Sequence, residues 1–209
     1  MLRNLLSVCA FLLLGSITTS FGQVAVGVKG SLQLSNITIT PSSQQASSLV
    51  GFQAGLMLDL PITDEISLRP QLLYSVKGAK QSASAQGITL EQKAMINYLE
   101  IPVQLTYGFE AGEGRVVLGA GPYVGYALSG SSVSTFNGQS ETTKFTFDDK
   151  DDLKRIDVGL HISAGYELSS GLLVSGYFSP GLTSISSDKD VTAKTTAYGL
   201  SVGYFFGGR

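Results

Sequence analysis

The sequence contains no tryptophan, one histidine and one cysteine in 209 residues. Cys9 lies inside an N-terminal apolar run, so the chain from Gln23 onward has neither a disulfide nor a cysteine metal site. Charged residues are scarce, at 14% against about 25% in ordinary soluble domains. The formal net charge is −2, and no basic stretch suits nucleic acid. No apolar run reaches the roughly 20 residues that a membrane-spanning helix needs. Blocks of helix-forming Ala, Glu, Lys and Leu are missing too. What remains is rich in Gly (25 residues), Phe (10) and Tyr (9), with many Ser and Thr between them. That composition reads as all-β, in one domain.

Residues 1–22 have the layout of a secretory signal peptide. Arg3 supplies the positive start, residues 5–14 the apolar core, and Ser20-Phe21-Gly22 a small-residue cleavage region. The expected domain is therefore 23–209.

Residues 155–168, RIDVGLHISAGYEL, split cleanly when alternate positions are read. Ile156, Val158, Leu160, Ile162, Ala164, Tyr166 and Leu168 form an apolar face. Arg155, Asp157, Gly159, His161, Ser163, Gly165 and Glu167 form a small or polar one. Period two marks a β-strand. Its length exceeds the usual 5–6 residues and suits a tilted strand of about 9–11 crossing an outer membrane. The same alternation recurs at 24–35, 49–60, 66–77, 95–107, 116–128, 172–182 and 196–206. These eight segments predict a transmembrane, eight-stranded, antiparallel up-and-down β-barrel, apolar outside and polar inside.

The connections sort by length. Those at 61–65, 108–114 and 169–171 are short; those at 37–48, 78–92, 129–154 and 184–191 are long and polar. Strict alternation of short and long predicts periplasmic turns, extracellular loops and periplasmic termini. Tyr107, Tyr166, Tyr204 and Phe206 fall near the turn-side strand ends, as an aromatic girdle does. Within the longest loop, 131–136 and 141–147 flank Asn137-Gly138 and predict a hairpin continuing two strands as a protruding ribbon, with a disordered loop as the alternative.

At this point the chain resembles the PorT-like outer-membrane β-barrel domain family, related in architecture to OmpA-type and OmpX-type barrels. The resemblance rests on VGVKGSLQLSN, NYLEIPVQLTY, LGAGPYVGYAL, IDVGLHISAGYEL and the aromatic close GLSVGYFFGG. It implies a barrel in a Gram-negative outer membrane, mostly without assigned activity, with a few relatives acting in protein secretion. Phe206 is followed by Gly207, Gly208 and Arg209, which recesses the terminal aromatic signal read by barrel-assembly machinery.

Several motifs invite chemistry. Gly119, Gly121 and Gly125 echo a dinucleotide fingerprint, but they lie within a strand rather than at a helix start, so they read as room made in a narrow lumen. Lys29, Asp59, Arg69, Glu100, Arg155, Asp157, His161 and Glu167 are all expected to point inward as a structural, cross-lumen charge network. A barrel of eight strands is only wide enough for side chains to fill, which argues for a plug over an ion pathway. His161, Ser163 and Glu167 loosely resemble the residues of lipid A deacylases, but an inward position keeps them from lipid. Asp148, Asp149, Asp151 and Asp152 lack the central Gly and distal Glu of a calcium loop and read as a solvated acidic tip. Asn36-Ile37-Thr38 matches a glycosylation triplet, a eukaryotic signal that means little in the context this resemblance implies.

The expectation is a non-enzymatic, monomeric outer-membrane barrel with no catalytic, cofactor or metal site. It would have a structural or surface-loop binding role, in contact with lipid and lipopolysaccharide and, during biogenesis, the assembly machinery. The alternatives are a component of a secretion apparatus with a protein partner, and a lipid A-modifying enzyme.

Overall fold

A computed structural model describes residues 24–41, 47–85, 88–136, 139–147 and 153–206. The signal segment and the acidic run 148–152 lie outside the described residues.

Among the described residues nine strands follow one another: β1 (Ala25–Thr40), β2 (Ser47–Pro61), β3 (Ile66–Ala85), β4 (Ile88–Ala111), β5 (Gly114–Phe136), β6 (Gln139–Lys144), β7 (Ile156–Leu168), β8 (Leu172–Pro180) and β9 (Thr192–Phe206). Every pairing between them is antiparallel. Eight strands close a ring, since β1 pairs with β9 and β4 with β5, while β6 pairs only with the outer end of β5. Closure satisfies the wall's backbone groups internally, which is what hydrocarbon demands.

Alternation drives the closure. Along β1 the burial pattern switches residue by residue for its first eleven positions, with Val26, Val28, Leu32 and Leu34 outward and Lys29, Ser31, Gln33 and Ser35 inward. Outward Leu32, Val50 and Leu200 each expose about 70% of their surface (71%, 71% and 73%). A continuous apolar surface of that extent has no place in water. On β4 the outward residues from Leu99 to Phe109 span ten residues. At about 3.4 Å rise and about 40° tilt that is about 26 Å, close to the roughly 25 Å lipid band of such barrels.

Most strands are longer than the apolar alternation alone suggested, although β8 stops at Pro180 rather than running to 182 and β7 begins at Ile156 rather than 155. The expected loop 78–92 is mostly sheet, because Lys80↔Lys93 through Ala85↔Ile88 continue the β3–β4 ladder. The turn expected at 108–114 shrinks to Gly112 and Glu113, with Gly112 at φ 71°. The turn before β8 holds Gly171 at φ 87°. Both positive angles favour glycine.

The ribbon needs correction in one respect. Ser131↔Lys144 through Phe136↔Gln139 form the predicted hairpin; its tip residues Asn137 and Gly138 lie outside the described residues. Its return arm does not run on into a barrel strand, since β6 stops at Lys144 and β7 begins at Ile156. One edge of β5 is also covered along its length by β4. A bulge where Asn97 and Tyr98 pair with Ser129 and Ala127 reverses the facing of β5 beyond Leu128 and so keeps the outer sheet in register.

The girdle is present on the turn side. Tyr107, Phe109, Tyr204 and Phe206 lie exposed on the outer face, while Tyr166 is half-buried and donates to Ala111 O at 2.7 Å.

Candidate functional site

The lumen fills in three layers. Nearest the turns, Arg69 bridges Asp59 at 2.9 Å and Glu167 at 3.1 Å, and Arg115 reaches Glu167 at 3.3 Å. The Arg69 guanidinium lies 4.8 Å from the Phe205 ring centre, beside an apolar cluster of Ala25, Met57, Leu173 and Phe205.

The middle layer is a polar chain. Lys29 donates to Gln71 at 3.2 Å, Gln71 to Gln104 at 2.7 Å, and Gln104 to Ser163 at 2.8 Å. Lys29 also sits 5.0 Å from the centre of the Tyr177 ring, whose hydroxyl donates to Gln33 at 2.8 Å. His161 stacks on Tyr177 and pairs through Nδ1 with Ser179 Oγ at 2.6 Å.

The third layer, toward the loops, centres on Lys77. Its ammonium pairs with Glu100, stands 3.9 Å from Asp157 and lies 4.3 Å from the Tyr123 ring centre. Gln53 donates to Glu100 at 2.9 Å, and Tyr123 and Thr195 donate to Asp157 at 3.1 and 2.7 Å. Above this layer Phe147 and Ile185 fold in over Ile96, Tyr98, Ala127 and Ala193, with Ile37, Phe145 and Leu153 against them. Backbone bonds pin the stopper: Ile185 N–H donates to Ala193 O, and Lys154 N–H to Ile185 O, both at 2.8 Å.

Four cations, Lys29, Arg69, Lys77 and Arg115, thus face four carboxylates, Asp59, Glu100, Asp157 and Glu167. Buried charge of one sign would be costly; a balanced, hydrogen-bonded set is tolerable and fixes side-chain positions. A void of about 20 Å³ lies between Lys29, Arg69, Gln71, Gln104, Ser163 and Ser175. It is room for about one water, between layers of paired and packed side chains.

Of the eight charged positions expected in the lumen, Arg155 departs. It lies exposed before β7 begins, donates to Ala127 O at 3.4 Å and stands over the Tyr126 and Phe147 rings. The residue belongs to the loop-side rim, so strand parity does not govern it. Lys77 takes the central position instead, on the same face of β3 as Arg69, Gln71 and Ser75. That parity was legible; the weight of Lys77 in the network was not.

His161, Ser163 and Glu167 do not converge. Each is committed elsewhere: His161 to Ser179, Ser163 to Gln104, and Glu167 to two arginines. The glycines of GAGPYVG serve packing. A Cβ on Gly119 would meet Gln104 Nε2 at 2.8 Å and Ser163 Oγ at 2.9 Å, and one on Gly121 would sit 1.9 Å from Val103 O. Asn36 accepts from the Ile37 N–H at 2.7 Å within β1. Among the described residues, no three His, Cys, Asp or Glu side chains group as metal ligands do.

Solved structures to which this chain is similar include Ail, the attachment invasion locus protein of Yersinia pestis, at 13% identity and TM-score 0.42, with 88% of this chain and 100% of that one covered. Neisserial surface protein A matches at 12% identity and TM-score 0.42, covering 89% and 99%. OprG of Pseudomonas aeruginosa matches at 12% identity and TM-score 0.45, covering 91% and 99%. No curated protein sequence matches the chain. The family model described as the outer membrane protein beta-barrel domain matches residues 18–187. With most of its length matched, this chain belongs to the outer membrane protein β-barrel domain family, a membrane protein of the bacterial outer membrane.

Proposed function

We propose that the protein is a non-enzymatic display barrel, a sealed wall that holds a stiff β-sheet above the outer membrane for a binding partner. The observation that carries this reading is the extension of β3, β4 and β5 past the apolar band, joined there by β6. The six residues of β6, Gln139–Lys144, are all exposed, and among the described residues β6 pairs on one side only. Its other edge offers backbone N–H and C=O groups to a partner strand. The plugged lumen argues against transport, and the separation of His161, Ser163 and Glu167 argues against acyl transfer.

Deleting residues 133–144 should leave a barrel that still runs faster unheated than boiled on a gel, because the membrane ring closes without them. A photo-crosslinking residue at Thr142 on whole cells should capture one discrete protein, and the same probe at Asp64 on the turn side should not. A secretion component in that adduct would support the second role, implied by the PorT-like resemblance. Loss of assembly on deletion, or no adduct at Thr142, contradicts the display reading.

A further inference from the structure

Just above the apolar band the outer wall changes chemistry. Leu99 on β4 pairs with Tyr74 on β3, and both face outward. Two residues further on, Asn97 takes the outward position and donates to Ser129 at 2.8 Å. Further still, Lys80 and Lys93 stand directly opposite each other on β3 and β4. Like charges in that position repel. Glu91 offsets this by accepting from Lys93 at 2.8 Å and Lys80 at 3.2 Å. Hydrogen bonds from Lys93 and then Lys80 hold the Glu91 carboxyl below the usual carboxylate range. One carboxylate still leaves the pair net positive. Lys144 on β6 pairs with Ser131, which pairs with Met95, two residues from Lys93 on the same face of β4. Three lysines and one glutamate therefore share a lateral face of the outer sheet.

We infer that this face, Lys80, Lys93 and Lys144 around Glu91, is a docking site for the phosphate groups of a phosphorylated glycolipid of the outer leaflet, that is, lipopolysaccharide. Direction carries the first part of the argument. The three ammonium groups lie on the outer surface of the wall, in line with its lipid-facing residues, so what they meet first is a lipid neighbour. Charge carries the second part. The turn end presents Asp64, Glu65, Glu110 and Glu113 as exposed acids, and the loop end also carries exposed Glu141, Asp188 and Asp190, so the positive excess is local to this lysine face, where an anionic leaflet would draw it.

Height carries the third. Lys93 lies six residues beyond Leu99, about 16 Å along the membrane normal at the strand rise and tilt used above. A phospholipid headgroup layer is only about 5–8 Å thick, half the difference between the hydrocarbon and full bilayer thickness. Lysine stems that reach back toward the membrane shorten that gap. The fit is nevertheless to a headgroup taller than a phospholipid's, one carrying sugars and phosphates. Half-buried Asn97, on the same face of β4 as Lys93 and donating to Ser129 at 2.8 Å, adds an uncharged hydrogen-bonding group suited to sugar.

The test uses the full barrel folded in detergent and titrated separately with lipopolysaccharide, dephosphorylated lipopolysaccharide, phosphatidylglycerol and inorganic phosphate. The variant is K80Q/K93Q/K144Q, whose side chains lie outside the buried network and whose unheated gel mobility reports folding. At about one decade of affinity for every 1.4 kcal/mol, and about 1 kcal/mol per lysine at an anionic surface, the triple variant should bind lipopolysaccharide roughly a hundredfold more weakly. Wild-type binding should fall with added salt and be lost with the dephosphorylated form. Equal binding by variant and wild type, equal binding of dephosphorylated lipopolysaccharide, or equal binding of phosphatidylglycerol or inorganic phosphate would each overturn the assignment.

Discussion

Replacing Lys77 by methionine should destabilise the barrel by about 3–5 kcal/mol, the cost of breaking a buried ion pair from one side. The ammonium is fully enclosed, paired with Glu100 and 3.9 Å from Asp157. Methionine fills a similar volume but leaves both carboxylates facing an apolar thioether. Gln53, Tyr123 and Thr195 continue to donate to them; none carries charge. The double replacement K77M/E100Q should recover much of the loss, since it removes the unpaired charge with its partner. Arg155→Met is the control, because that residue is exposed and outside the ion-pair network; it loses a long hydrogen bond to Ala127 O and ring contacts at an exposed site, so its cost should stay within about 1 kcal/mol. Urea titration read by unheated gel mobility measures all three. A Lys77→Met cost no larger than that of Arg155→Met would mean that the lumen is hydrated and the charges are screened.

Arginine at position 160 should cost about 2–4 kcal/mol, the penalty for that residue on the lipid face near the bilayer midplane. Leu160 lies in the middle of β7, outward and 39% exposed, with Ile156 and Ile162 on the same face at 46% each. The contrast is Ser163→Ala on the opposite face. Ser163 Oγ accepts one hydrogen bond, from Gln104 at 2.8 Å, so its removal should cost about 0.5–1.5 kcal/mol. Equilibrium unfolding in lipid vesicles separates the two. Similar costs at positions 160 and 163 would mean that the strand faces are misassigned.

The ring was legible because a membrane imposes period two on one face. Val26, Val28, Leu32 and Leu34 announce β1, and Tyr198, Leu200, Val202 and Tyr204 announce β9, each read from apolarity at alternate positions. Beyond the lipid that signal ends. In residues 79–82 and 90–94 both faces are wet or partly so, so polar residues follow each other without a period and the ladder from Lys80↔Lys93 to Ala85↔Ile88 read as a loop. The inward face was legible as polar, but most of its apolar members were not. Tyr123 fell on the inward set of its strand by alternation, but Leu73, Tyr98 and Phe205 did not stand out, although they too fill the lumen and are buried, because a barrel this narrow must be packed as well as neutralised. Arg115 was missed for a simpler reason: it stands one residue before the stretch where alternation becomes visible. The stopper of Phe147 and Ile185 depends on two loops meeting across the mouth, a long-range coincidence with no local signature.

The central claim is that alternate residues of each strand face lipid and a sealed interior. From Gln23 onward the chain contains no cysteine, so single cysteines can be placed from 156 to 166, leaving out Gly159 and Gly165, where a Cβ would meet backbone oxygen at 2.3 and 2.6 Å, and spin-labelled in bilayers. Accessibility to oxygen, which partitions into lipid, should alternate along the strand, high at 158, 160 and 162 and low at 157, 161 and 163. Accessibility to a water-soluble nickel chelate should be low at both sets. A profile without period two, or chelate access at 157 and 161, would contradict the sealed barrel.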